Sequence, residues 1–243
     1  MSPALPLARK TGHLSEFVAI AARRRRRRAD WAAHEGRTRG FVERVAATVE
    51  ADGIAVILGA GHVDDIPLDA LAARFEAVVL VDLAFSLATC RAAQRLGNVE
   101  CWRRDVTESL DSLPEVREPE AFLDDPRVRF VASVNLLSQL GVIPTRTMAD
   151  EDADTLSRRL IEAHLRWLSR FGCPVVLITD AAVEVVDRSD AVTATLDPMK
   201  GVTLPPAAET WTWDIAPRGE LDRDHAIRHQ VVAIEGLPCA KRN

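Results

Sequence analysis

The chain has 243 residues, 47% of them hydrophobic and 28% charged, with a net charge of −5. That balance builds a full core in one domain and supplies no global field to draw the molecule to nucleic acid. Cys90, Cys101, Cys173 and Cys239 form no CxxC pair and read as reduced thiols of a cytoplasmic protein, while no apolar run is long enough to span a membrane and no signal peptide is recognisable.

In chain order, Met1 to Thr11 is expected to fray. Leu14 to Arg28 reads as a helix ending in six consecutive arginines, Arg23 to Arg28. Successive residues point all round a helix, so six arginines make no single stripe. They form either a solvated segment whose stems lie on the body, or a contact for an anionic partner such as nucleic acid or an acidic substrate. Asp30 is a candidate cap for a further helix with Phe41, Val45 and Val49 as its buried stripe and Trp31 and His34 together on one face. Residues 1–50 are thus an N-terminal helical extension, a lid in prospect, and 51–243 the main domain.

Ile54 to Leu58 is a five-residue apolar run of the kind buried on both faces of a parallel sheet. Gly59-Ala60-Gly61 breaks it. Leu68, Leu71, Ala72 and Phe75 recur at helical spacing, and Ala77 to Val81 is a second strand ending at Asp82. Gly61 and Asp82 stand 21 positions apart, close to the ~20 between a nucleotide-binding turn and its ribose carboxylate. A right-handed crossover returns Asp82 to the same sheet edge, where it can accept from both ribose hydroxyls. The third glycine of the dinucleotide pattern is absent; Asp64 stands there, followed by Asp65. Carboxylates suit a helix start but repel a pyrophosphate, so a cationic, phosphate-free cofactor fits better than NAD.

Phe85 to Leu96 reads as a helix stopped by Gly97, and Asn98 to Trp102 as a third strand. Asp105 and Thr107 follow it, either as turn caps or, for Asp105, as a ligand contact. Residues 108–127 are expected to hold a helix and a loop. Val128 to Val134 is strand four, after which Asn135 precedes a buried helix restarted by Leu136 and Leu137. Asp150 opens a helix striped by Leu156, Leu160, His164 and Leu168; its acidic first turn complements the helix dipole and needs no metal. Pro174 to Thr179 is strand five, finishing at Asp180. Residues 181–208 read as a long loop without firm structure over an acceptor pocket. Glu209 to Ile215 alternates as a strand, and Arg228 to Ile234 returns beside it. His225 and His229 have HxxxH spacing but no evident third ligand.

The βαβ unit of 54–83 and the strands after it resemble a class I S-adenosylmethionine-dependent methyltransferase, over roughly Gly53 to Gly236. The resemblance implies an α/β fold: a doubly wound, mostly parallel seven-stranded sheet closed by an antiparallel C-terminal hairpin. It implies S-adenosyl-L-methionine as cofactor and a helix carrying Trp31 and His34 that closes over the cofactor; the acceptor, which the sequence does not identify, is expected to be a small molecule. It places Gly59, Ala60 and Gly61 at the methionine end, Asp82 and Leu83 at the ribose, and Asp105 and Val106 at the adenine. Asn135 faces the transferred methyl group, where an amide orients an acceptor but cannot act as a base. One departure is Ile57, where the family often has an acidic residue. The glycine turn, Asp82, Asp105, Asn135 and Asp180 each follow a different strand, on the edge where open parallel sheets bind ligands. The alternatives are a non-catalytic Rossmann-like binding module and an NAD(P)-dependent oxidoreductase. The chain has no tyrosine, which excludes the Tyr–Lys pair of short-chain dehydrogenases, and no GxxxxGK[ST] motif.

Overall fold

Every residue of β1 (Ile54–Leu58) is buried, because strands and helices cover it on all sides. The computed structural model describes residues 4–237. Five parallel strands run in the order β3 (Val99–Arg103), β2 (Ala77–Asp82), β1, β4 (Val128–Val134) and β5 (Val175–Val186). Beyond β5, β8 (Ala226–Glu235) and β7 (Glu209–Ala216) close the sheet antiparallel, the ending the resemblance implied. The chain builds outward from β1 to β3 and then restarts at β4 on the other side of β1. That reversal opens a crevice at the carboxyl ends of β1 and β4.

The strands are flanked by two helical layers, and β1 shows why. Ala55 and Ile57 face a core shared with α3 (Arg28–Ala47), α4 (Leu68–Arg74) and α5 (Leu87–Leu96). Ile54, Val56 and Leu58 face the core under α6 (Asp150–Ser169). On α6, Leu156, Leu160, Ile161, Trp167 and Leu168 are buried at helical spacing, each large aliphatic contributing about 1.5–3 kcal/mol of burial.

Several expectations are corrected. Among the described residues the main path of the sheet has the expected seven strands, and an eighth is added off that path. The eighth, β6 (Val192–Leu196), pairs with the far end of β5 inside the segment expected to be a loop. β-Branched Val183, Val185 and Val186 carry β5 beyond Asp180, and Val192, Thr193 and Thr195 do the same for β6. The expected fray is helical from Ala4 onward, as α1 (Ala4–Thr11), and Gly12, at φ 90°, turns the chain into α2 (His13–Arg26). Asp30 caps nothing; α3 starts two residues earlier and Asp30 lies in its first turn. Residues 108–127 form turns rather than a helix, and the restart after Asn135 is only the 3-10 turn Leu137–Gln139. Cys239 lies outside the described residues.

Candidate functional site

The turn after β1 is built so that only glycine fits at two positions. Gly59 has φ +81°, and a Cβ there would stand 2.6 Å from the Val134 carbonyl oxygen. A Cβ on Gly61 would meet the Ala84 carbonyl at 2.7 Å, Phe17 Cε2 at 2.7 Å and Asp82 Oδ2 at 2.9 Å. Backbone therefore approaches Asp82 closely: Gly61 N–H donates to its Oδ2 (3.0 Å) and Ala84 N–H to its Oδ1 (3.4 Å). Burial raises the Asp82 pKa to about 6, against the opposing pull of those N–H groups.

A cavity of about 410 Å³ opens at this edge. Its walls are the glycine turn, the ends of β4 and β5, parts of β7 and β8, and the helices α2 and α3. Gly59, Gly61, Asp82, Leu83 and Asn135 line it; Ala60 is buried behind. Trp31 and His34 of α3 also reach it. Its ionisable lining comprises six carboxylates (Glu16, Glu35, Asp64, Asp65, Asp82 and Asp180), four histidines and two arginines, Arg23 and Arg24. The excess of acid suits a cation.

Asn135 sits at φ 50°, a left-handed conformation that asparagine tolerates better than most residues. One end of its side-chain amide lies 3.0 Å from His34 Nε2 and 2.7 Å from Asp65 Oδ2; the other end is buried without a partner. Trp211 Nε1–H donates to His34 Nδ1 (3.0 Å). Burial lowers the His34 pKa to about 4, so near neutral pH the ring is uncharged and carries its proton on Nε2. That N–H needs the amide oxygen, whereas an ionised Asp65 needs the amide nitrogen. One amide end cannot be both. Protonating Asp65 removes the conflict, since the amide oxygen then accepts from both neighbours. Burial raises Asp65 to about 6, which brings that protonation within reach of ordinary pH.

The chain also gathers Trp213, His229 and Ser138, which its sequence did not single out for this edge, around the expected His34 and Asp180. His34 stacks on Trp213 (3.9 Å between ring centroids), and Trp213 meets His229 edge-on at 5.6 Å. His229 Nδ1 is 3.0 Å from Asp180 Oδ2 without bonding to it, and that oxygen accepts from Ser138 Oγ–H at 2.8 Å. The spacing of His225 and His229 was suggestive only of a metal, and the two diverge: His225 is exposed and pairs with Asp222. Among the described residues, no group of three or more His, Cys, Asp or Glu is placed to hold a metal ion.

Asp105 and Val106 are not brought to the cavity. Asp105 Oδ1 accepts from Thr107 N–H (2.9 Å) and Thr107 Oγ1–H (2.7 Å), and Oδ2 from Ser109 N–H (3.0 Å) and Leu110 N–H (2.9 Å). Its carboxylate is saturated by the turn it caps, the local alternative to a ligand contact. The arginine run folds back on its own chain. Arg24 pairs with Glu35 (2.6 Å) and Asp64 (2.9 Å), while Arg26 and Arg27 hold Glu220, with Arg23 at 3.9 Å. None of the described helices is long and apolar enough to cross a membrane.

No family model matches the chain, and no curated protein matches it in sequence. Among solved structures it is similar to the DhpI-SAM-HEP complex, at 14% identity over 95% of this chain and 99% of that one, with a TM-score of 0.38. It is also similar to an rRNA methylase from Streptococcus thermophilus, at 16% identity over 81% of this chain and 95% of that one, with a TM-score of 0.34. Likenesses this distant decide nothing about the chain, whose fold rests on its own strand order.

Proposed function

We propose that the chain is an S-adenosylmethionine-dependent methyltransferase acting on a small-molecule acceptor. One observation carries the proposal: a cavity at the carboxyl edge of the parallel strands joins a glycine turn and Asp82 to a lining in which carboxylates outnumber arginines six to two. A ribose can donate hydroxyls to Asp82, a sulfonium and an ammonium are attracted by the acid excess, and a pyrophosphate is repelled by Asp64 and Asp65. Asp180 Oδ1 is buried without a partner, an acceptor that a donor-bearing ligand would satisfy.

When bound, S-adenosylmethionine supplies a methyl group already activated by a positively charged sulfur. Asp82 would hold the ribose, and the Gly59–Gly61 turn the amino-acid end. What remains for the protein is to aim the acceptor and keep water away. Asn135 faces the cavity with a free amide end suited to the first task, and the α2 helix, with Trp31 and Trp213, suits the second.

Isothermal titration with S-adenosylmethionine, S-adenosylhomocysteine and NADH tests this directly. The expected result is saturable binding of the first two and none of NADH. If neither adenosyl compound binds at about 1 mM, an affinity of only some 4 kcal/mol, the proposal falls.

A further inference from the structure

The methyltransferase reading leaves open what takes the acceptor's proton, since Asn135 cannot. Asp180 and His229 form the one buried acid–imidazole pair among the residues lining the cavity. Asp180 ends the parallel part of β5 and is 2% exposed; His229, on neighbouring β8, is 9% exposed. Ser138 Oγ–H fixes Asp180 Oδ2 from the turn after Asn135, so the pair is tied to the end of β4. His229 Nδ1 lies 3.0 Å from the same oxygen, out of line for a hydrogen bond, and both Nδ1 and Asp180 Oδ1 are buried without partners. Among the described residues no group bonds His229 Nε2, although the ring lines the cavity. Two adjoining groups thus have unmet hydrogen-bonding capacity in a largely apolar recess of Trp31, Trp213, Ile215 and Ile227. A pair needed only to join β5 to β8 would gain most by meeting that capacity internally.

We propose that His229, oriented by Asp180, accepts the proton of the methyl acceptor, and that the acceptor is a small, largely apolar compound bearing a hydroxyl or N–H. This inference rests on the methyltransferase reading. In the step, the acceptor's lone pair takes the methyl group while the carbon–sulfur bond breaks, leaving its electrons on sulfur. The acceptor's O–H or N–H bond breaks, and its proton passes to His229 Nε2. Asp180 is a positioning residue: Ser138 holds its carboxylate, which lies 3.0 Å from the His229 ring. Arg24 at the rim is engaged by Glu35 and Asp64, and Arg27 by Glu220.

The test needs no knowledge of the acceptor. Sinefungin carries a protonated amine where S-adenosylmethionine carries its methyl group, and S-adenosylhomocysteine carries nothing there. Titration of both into the wild type, Asp180→Asn and His229→Gln separates the possibilities. Asp180→Asn is expected to weaken sinefungin about tenfold, as loss of a close charge does, and to leave S-adenosylhomocysteine unchanged. His229→Gln should show the same selectivity and serves alone if Asp180→Asn fails to fold. Equal effects on the two ligands, or none on sinefungin, overturn the proposal. A wild type that binds neither would instead remove the methyltransferase reading beneath it.

Discussion

Asp65 and Asp82 are enclosed carboxylates, each with its pKa raised by burial to about 6 from the ordinary 3.8. A carboxyl whose folded pKa is raised favours the folded state most below its unfolded pKa. That contribution is lost as pH climbs through the folded value. At about 1.4 kcal/mol per pH unit, each costs on the order of 3 kcal/mol of stability once ionised. The ligand-free protein should therefore lose stability between about pH 4 and pH 6 from these two groups and change little above. Asp65→Asn should raise the melting temperature at neutral pH and leave it nearly unchanged near pH 4. Thermal melts of both proteins across that range check this, and parallel curves would contradict it. The glycine turn and Asp82 were legible because their spacing is a local consequence of one βαβ crossover. Asp65 was legible only as a charge at a helix start. Its meeting with Asn135 and His34 brings together three distant parts of the chain, which no local pattern encodes.

At the scale of elements, α2 is the unusual one: it lines the cavity, yet none of its residues is fully buried. Ion pairs hold it, together with Phe17 stacked on His62 at 4.0 Å. Arg23, Arg26 and Arg27 fall at i, i+3 and i+4 spacing and converge on Glu220 in the β7–β8 loop, while Arg24 points the other way to Glu35 and Asp64. The arginines thus do point round the helix, as their succession dictates. Their acidic partner in the next loop lies nearly 200 positions on, beyond reach of sequence pattern. Hydrogen bonds from Arg26 and Arg27 lower the Glu220 pKa to about 2. Glu220 therefore stays ionised above that value, and the latch should respond to salt rather than to pH in the neutral range. Exposed pairs are individually weak, worth about 0–1 kcal/mol. Glu220→Gln removes the common anchor and should speed tryptic cleavage within Arg23–Arg28 several-fold, while the melting temperature of the sheet barely moves. Mass spectrometry of a cleavage time course reads the outcome; an unchanged rate would show that α2 is held by something else.

Over the whole molecule, the parallel strands were legible because each is a short apolar run ended by a turn, and the doubly wound order follows from their handed crossovers. β6 escaped notice because every residue of it is exposed, so no burial pattern marks it. The same global geometry places both high-pKa carboxylates in one cavity, and that couples ligand binding to pH in a direction opposite to stability. The ligand-free fold prefers Asp65 and Asp82 protonated, whereas a cationic ligand prefers them ionised. Affinity for S-adenosylmethionine should therefore rise as pH passes through about 6, just where the free protein is losing stability. Ligand stabilisation scales with the logarithm of occupancy, so a fixed excess of S-adenosylmethionine should raise the melting temperature more at about pH 7.5 than at about pH 5. S-adenosylhomocysteine, which lacks the sulfonium charge, should show a smaller contrast between the two conditions. Differential scanning fluorimetry with each ligand at both pH values measures this. Equal shifts for S-adenosylmethionine would mean that these carboxylates do not face its charge.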